Sequence, residues 1–233
     1  MDNYDARSAY RDPDVANTYD AQRFHSVRGR IGHWLDQRAL RRSLRPLAKN
    51  RTLRLLDLPC GTGRITTFLI KSGHAATGAD VSLDMLRAAH NKLGKRDRIT
   101  GITMCDAEEI AFKSHSFDCV VSVRFMGHIP RPARVKMLKE FNRVASHAIV
   151  EYSVQSPITR LTRAILHRFA PTALPNSWGW TSFSWSELRD EIRHAGCRIV
   201  STVPKIPWLS DSWYVLMKSQ QEEGSKQDEN TNR

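Results

Sequence analysis

Leu55-Leu56-Asp57-Leu58-Pro59-Cys60-Gly61-Thr62-Gly63 decides the reading of this chain: a short apolar run ends in an acid and passes into a turn with two glycines. The apolar stretch from Leu53 to Leu58 predicts a strand. Glycines directly behind it let the backbone turn with positive φ and approach a ligand closely. Ile65, Phe68 and Leu69 then repeat at helical spacing, so the turn joins a strand to a helix. A nicotinamide-binding G-x-G-x-x-G turn would need a third glycine where Thr66 stands, which argues against a closely packed pyrophosphate.

Downstream, strand and helix alternate. Ala75 to Val81 predicts a second strand, Met85, Leu86, Ala89 and Leu93 a helix, and Ile99 to Met104 a third strand. Phe117 to Val123 is nearly all apolar, as a strand covered on both faces must be, and Val135, Leu138, Phe141 and Ala145 give the segment from Arg131 to Ala145 a helical apolar face. A fifth strand is expected near Ala148 to Val154. Residues 155–183 break the rhythm with three prolines, three arginines and no acid, and are expected to form a helical or loop insertion that acts as a substrate lid. Ser184 and Glu187 then form a capping-box signature for a helix ending at Gly196, and Ile199 to Val203 and Trp213 to Met217 supply two closing strands. The pattern is α/β: a doubly wound, mostly parallel seven-stranded sheet.

Upstream, Val15, Tyr19, Phe24, Val27, Ile31, Trp34 and Leu35 fall near helical spacing, so residues 1–50 are expected to be amino-terminal cap helices. The main domain is expected over residues 51–218, and the polar segment 219–233 as a disordered tail. The net charge is +12, and from Arg23 to Arg54 ten basic residues face one acid, Asp36. Such a segment is either a solvated helix face or a surface that attracts phosphates, nucleic acid or an anionic membrane. At 40% hydrophobic residues, the disordered, collagenous and disulfide-scaffold classes are excluded. No run is long enough for a transmembrane segment and the start lacks a signal-peptide layout, so a cytoplasmic location is expected. Cys60, Cys105, Cys119 and Cys197 are scattered without metal-ligand spacing and read as reduced, mostly buried thiols, with no metal expected.

Two further acids complete the pattern. Asp80, in Gly78-Ala79-Asp80-Val81-Ser82, ends the second strand about twenty residues beyond the turn, where an acid accepts from ribose hydroxyls. Asp106, in Cys105-Asp106-Ala107-Glu108, follows the third strand at the same edge. Each alone is open to a plainer account as a helix cap or turn residue. Three carboxylates on one sheet edge fit a positively charged adenosine ligand without phosphate better than a dinucleotide.

LLDLPCGTGR, GADVSLDML, CDAEEIAF and SFDCVVSVRFMGHIP, in that order and spacing, resemble the successive motifs of class I S-adenosylmethionine-dependent methyltransferases of the type-11 methyltransferase domain family, over about Leu53 to Val150. The resemblance implies S-adenosyl-L-methionine as cofactor. It implies that Asp57, Gly61 and Gly63, with Pro59 and Cys60 in the same turn, cradle the methionine part. Asp80 and Val81 would then hold the ribose, and Asp106 and Ala107 the adenine. Pro59 departs from the glycine usual in the family, which stiffens the strand exit and removes one backbone donor.

On the substrate side, Arg124 and His128 follow the fourth strand and are the catalytic candidates: His128 as a base or hydrogen-bonder, Arg124 as an orienting cation. Either has a plainer account as a loop support. Tyr19, Arg23 and Tyr152 are candidates for closing over the ligand, with packing as the alternative. Val-Arg-Phe-Met stands where nucleic-acid adenine methyltransferases resemble one another in an (N/D)-P-P-(Y/F) motif, and neither Cys60 nor Cys119 is placed as a cytosine-methylating nucleophile. A small-molecule or lipid-linked acceptor is therefore expected, with Trp178, Trp180, Phe183 and Trp185 either lining the lid or packing it down. The alternatives are an RNA-directed enzyme using the basic segment and a non-catalytic S-adenosylmethionine-binding protein on an anionic membrane surface.

Overall fold

The computed structural model of the chain describes residues 26–49, 51–94, 98–155 and 182–220. Tyr19, Arg23, Trp178, Trp180, most of the expected lid and residues 221–233 of the expected tail lie outside the described residues, whereas Ser219, expected in the tail for its polarity, ends the last strand and is buried there by ladder pairing. The elements are α1 (Val27–Ala48), β1 (Arg54–Asp57), α2 (Arg64–Lys71), β2 (Ala75–Asp80), α3 (Leu83–Leu93), β3 (Ile99–Met104), β4 (Phe117–Ser122), a 3₁₀ turn (Met126–His128), α4 (Arg131–Val144), β5 (Ala145–Ser153), α5 (Trp185–His194), β6 (Cys197–Pro204) and β7 (Ser212–Ser219).

Local chemistry sets the boundaries. Ser26, Ser82 and Ser184 cap α1, α3 and α5 by accepting a backbone N–H, and Ser184 forms a full capping box with Glu187. α2 has no such cap and starts from Gly63 at φ 74°. The fifth strand starts at Ala145, three residues earlier than the apolar run implied. Polar Ser146 and His147 interrupt that run, but ladder pairing of Phe117 with Ala145 and of Cys119 with His147 extends the strand to the end of α4. Pairing with a neighbour overrides the local pattern here.

The seven strands lie in the order β3-β2-β1-β4-β5-β7-β6. The first five run parallel, while β7 enters antiparallel between β5 and β6. The chain winds outward from β1 to β3 and then returns to β4 on the other side of β1. The crevice at the carboxyl ends of β1 and β4 is thus the switch point, where such sheets bind ligands.

Two apolar layers cover the sheet. On one face α1, α2 and α3 contribute Leu40, Phe68, Leu69 and Leu93 over Leu55, Val121 and Leu216. On the other, α4 and α5 contribute Leu138, Phe141, Leu188 and Ile192 over Leu56, Val120 and Val150. α4 and α5 are also joined by a buried ion pair, Arg134 to Glu191, with Arg134 Nε 3.0 Å from both carboxylate oxygens and Nη2 2.6 Å from Oε2. All four cysteines are buried, free thiols. Among the described residues no helix is long and apolar enough to cross a membrane.

Candidate active site

β1 ends on Asp57 and β2 on Asp80, on hydrogen-bonded neighbouring strands. Between them the turn 58–63 is held by a short list of bonds. Cys60 N–H donates to the Ala79 carbonyl at 2.8 Å, and Gly61 N–H donates to Asp80 Oδ2 at 2.8 Å. The other oxygen, Oδ1, accepts from Ser82 N–H at 2.9 Å. The Asp80 carboxylate is thereby fixed at the end of β2 with two acceptor oxygens, the arrangement that suits a vicinal diol. Burial pushes the Asp80 carboxyl above the ordinary carboxylate range, against the backbone donors of Ser82, Gly61 and Val81.

Asp57 is placed differently. It is 1% exposed and accepts from the Thr66 hydroxyl at 2.6 Å, which fastens the first turn of α2 to the end of β1. Burial pushes its carboxyl up to about 7, with the Thr66 hydroxyl pulling the other way and the charge of Asp80 adding to the rise. A buried carboxylate so near a second one is a standing demand for positive charge.

The two glycines do different work. At Gly63, φ is 74° and an added Cβ would lie 3.1 Å from Ala89 Cβ and Leu93 Cδ1, so this glycine lets α3 pack against the turn. At Gly61, φ is 52° and an added Cβ would meet nothing within 4 Å, so the backbone here borders open space. Pro59 is half-buried after a cis Leu58–Pro59 bond, and Cys60 is buried with its sulfur 3.2 Å from where a Cβ on Gly78 would stand.

Next along the edge, Cys105 N–H donates to the Asp80 carbonyl at 3.0 Å, which keeps the β3 exit beside the end of β2. Asp106 is half-buried and its Oδ1 accepts from Glu108 N–H at 2.9 Å, while Ala107 is buried. Val81, Leu83 and Met104 are exposed at the same edge, with Met104 level with Asp80 in the β2–β3 register. Exposed apolar side chains beside a strand-end acid are what a flat base needs to rest on. The residues present therefore fit an adenosyl group: two acceptors for a diol, an apolar rest for the ring, and a turn with room above Gly61.

Arg124 sits just past β4 at φ 60°. Its N–H donates to Glu151 Oε2 at 2.9 Å and its Nη2 to Asp36 Oδ2 at 2.6 Å. Asp36, fully buried in α1, also accepts from the Tyr214 hydroxyl at 2.9 Å and pairs with Lys205. Burial would raise the Asp36 carboxyl, but the charges of Arg124 and Lys205 prevail and hold it below the usual range. This knot ties α1 to the exit of β4 and the start of β7. His128 is half-buried in the 3₁₀ turn that follows.

The structure thus gathers Asp57, Pro59, Cys60, Gly61, Gly63, Asp80, Val81, Asp106 and Ala107 along one edge, with Arg124 and His128 on the β4 exit. It does not bring Tyr152 there. That ring is 1% exposed, stacks edge-on against Phe183 at 5.6 Å and turns its hydroxyl toward Glu191 at 3.5 Å. Sequence reasoning passed over Thr66, read only as a missing glycine, and Ser122, whose buried hydroxyl at the end of β4 has no hydrogen-bond partner among the described residues. The signal for Ser122 was present: it is the one hydroxyl in the run Phe117-Asp118-Cys119-Val120-Val121-Ser122-Val123.

Residues 55–147 match the family described as a methyltransferase domain. An uncharacterized protein of Methanocaldococcus jannaschii is 36% identical over 90 residues, 39% of this chain and 32% of that protein. A ubiquinone/menaquinone biosynthesis C-methyltransferase of Burkholderia multivorans is 29% identical over 148 residues, 56% of this chain and 58% of the relative. The chain thus spans between about a third and three fifths of these relatives' length. Magnesium protoporphyrin IX methyltransferase from Synechocystis, crystallised with bound SAH, has the same fold at a TM-score of 0.67 and 16% identity, covering 92% of this chain and 100% of that one. Residues 55–147 are thus similar to a methyltransferase domain, and the chain shares the fold of the magnesium protoporphyrin IX methyltransferase.

Proposed function

We propose that the chain transfers the methyl group of S-adenosylmethionine to a small-molecule or lipid-linked acceptor. The observation that carries this reading is the carboxylate of Asp80, fixed at the end of β2 by the backbone N–H groups of Gly61 and Ser82 beside the glycine turn. When bound, the cofactor supplies a methyl group activated on a sulfonium. Asp80 would hold the ribose, with Val81, Leu83, Met104, Asp106 and Ala107 around the adenine. Gly61, Gly63, Pro59 and Cys60 would border the methionine part, with Asp57 and the hydroxyl of Ser122 beneath it.

What the chain adds is alignment and exclusion of water. A well-oriented pair of reactants gains up to roughly 7–11 kcal/mol over the bimolecular reaction. His128, on the turn after β4, is the candidate for taking or ordering an acceptor proton, since its unperturbed range spans neutrality. Arg124 would fix the exit of β4, because its guanidinium is bound to Asp36 and its N–H to Glu151. The similar proteins support the acceptor class: one is a ubiquinone/menaquinone biosynthesis C-methyltransferase and one a magnesium protoporphyrin IX methyltransferase.

Calorimetry with S-adenosylmethionine tests the cofactor half. Asp80→Ala removes both ribose acceptors, and charge-assisted hydrogen bonds at roughly 1.5–3 kcal/mol each predict at least about a hundredfold weaker binding. Unchanged binding in this variant would refute the role. Transfer of labelled methyl into fractionated cell extract tests the acceptor half: label in an organic-soluble or small-molecule fraction supports the reading, and label in RNA alone overturns it.

A further inference from the structure

The side of α1 turned away from the sheet is divided along its length. Asp36, Leu40, Ser43 and Leu44 are buried beneath the helix. Positions 27, 31, 34, 38, 42 and 45 recur at the three- and four-residue spacing that puts them together on the opposite side. The first half of that stripe is apolar: Val27 is 72% exposed, Ile31 53% and Trp34 58%. The second half is cationic, with Arg38, Arg42 and Arg45 all exposed and none of them in an ion pair among the described residues. Where the halves join, the Arg38 guanidinium lies over the Trp34 ring at 5.8 Å. The one acid of the helix, Asp36, is on the buried side.

The apolar half lies at the edge of the sheet that carries the candidate active site. Asp36 accepts from Arg124, just past β4, and a Cβ on Gly32 would stand 3.9 Å from the same guanidinium nitrogen. From there α1 runs to the far edge, where the chain enters β1. The β6–β7 turn reaches the same edge beside α1, since Lys205 pairs with Asp36, and it presents Trp208 and Leu209 to solvent. Single exposed apolar side chains are ordinary, but several grouped beside cations mark a contact surface. A second copy of the chain would bring another +12 and a second row of arginines to the contact. A nucleic acid accepts arginine and tryptophan but offers Val27, Ile31 and Leu209 no water-free phase. An anionic bilayer answers both halves: phosphates take the arginines, the acyl boundary takes the aliphatic side chains, and tryptophan favours the level between.

We propose that the outward side of α1, with Trp208 and Leu209 of the β6–β7 turn, docks the protein on the surface of an anionic lipid bilayer with its ligand edge toward the membrane. The docking itself is independent of the chemistry; its use, bringing a lipid-linked acceptor to the cofactor edge, rests on the methyl-transfer reading.

The test is co-sedimentation of the full chain with vesicles of phosphatidylcholine alone and of phosphatidylcholine with one third phosphatidylglycerol. Binding is expected to the mixed vesicles, weakening as salt is added. Ile31→Ser combined with Trp34→Ser should weaken it at least about tenfold. Arg38→Gln combined with Arg42→Gln should weaken it about fivefold for each arginine removed. Thermal melts of these variants should match the wild type, since the replaced side chains are exposed. Arg189→Gln combined with Arg193→Gln removes the same charge from exposed positions on α5, across the sheet, and should leave binding unchanged. The proposal is overturned by absence of binding to the mixed vesicles, by undiminished binding after loss of Ile31 and Trp34, or by equal weakening in the two arginine pairs, which would mean bulk charge alone. Tighter binding of a single-stranded RNA oligonucleotide with the same dependence on Ile31 and Trp34 would overturn it in favour of nucleic acid, and dimers lost in that variant would overturn it in favour of a second copy. Vesicle binding by a chain that fails to bind S-adenosylhomocysteine would leave the docking and sink the methyl-transfer reading; the reverse result would sink the docking alone.

Discussion

Asp57→Asn should change how the stability of this protein depends on pH. The carboxyl has an ordinary value of 3.8 and is pushed up to about 7 in the folded chain, first by burial. Because the folded value is the higher one, folding takes up a proton. This contribution to stability is fully present below about pH 4 and is lost as pH climbs through about 7. At about 1.4 kcal/mol per pH unit the whole change is about 4 kcal/mol, of which about 3 kcal/mol falls between pH 5 and pH 8. Asn keeps an oxygen to accept from Thr66 but has no proton to lose. Urea denaturation of both proteins at pH 5, 6, 7 and 8 should show the wild type losing about 3 kcal/mol relative to the variant across that range. Asp80 is shifted in the same direction and is present in both chains, so it largely cancels in the difference. Asp36, held low by Arg124 and Lys205, acts only at the acid end and with opposite sign. Parallel profiles for the two proteins would refute the view of Asp57 as a buried acid that ionises at a cost to folding.

The remaining expectations follow from the same contacts. Gly63→Ala puts a Cβ 3.1 Å from two α3 side chains at a positive φ, and should cost about 2–4 kcal/mol in denaturant unfolding. Gly61→Ala shares the positive φ but meets nothing, so it should cost only about 1 kcal/mol of stability while markedly weakening S-adenosylhomocysteine binding; a larger loss of stability than in Gly63→Ala would contradict this division. Arg134→Ala strands a buried Glu191 and should lower stability by about 3–5 kcal/mol, whereas replacing the pair by Met and Leu should restore much of it, as read by thermal melts. Asp36→Asn leaves Arg124 and Lys205 without their anion, and amide exchange in α1 should speed up far more than in α4; uniform acceleration would mean general destabilisation instead.

Much of the fold was written locally. The strand-turn-helix at Leu55 to Gly63, the acids at the ends of β1 and β2 and the capping box at Ser184 all depend on periodicity, glycine freedom or a contact three residues long, and each lies where the sequence placed it. Tertiary structure decided what local chemistry leaves open. Asp36 looked like a lone acid on a basic helix, yet its partners Arg124, Lys205 and Tyr214 come from 88 to 178 residues away. Tyr152 follows Val150 and Glu151 in a strand buried on both faces, so alternation alone does not say which neighbour meets the cleft and which the core. The insertion of β7 between β5 and β6 rests on which edges pair. A sequence determines what each segment forms because that depends on its neighbours along the chain. Which side chains share a site depends on how the layers pack, and only the folded chain sets those distances.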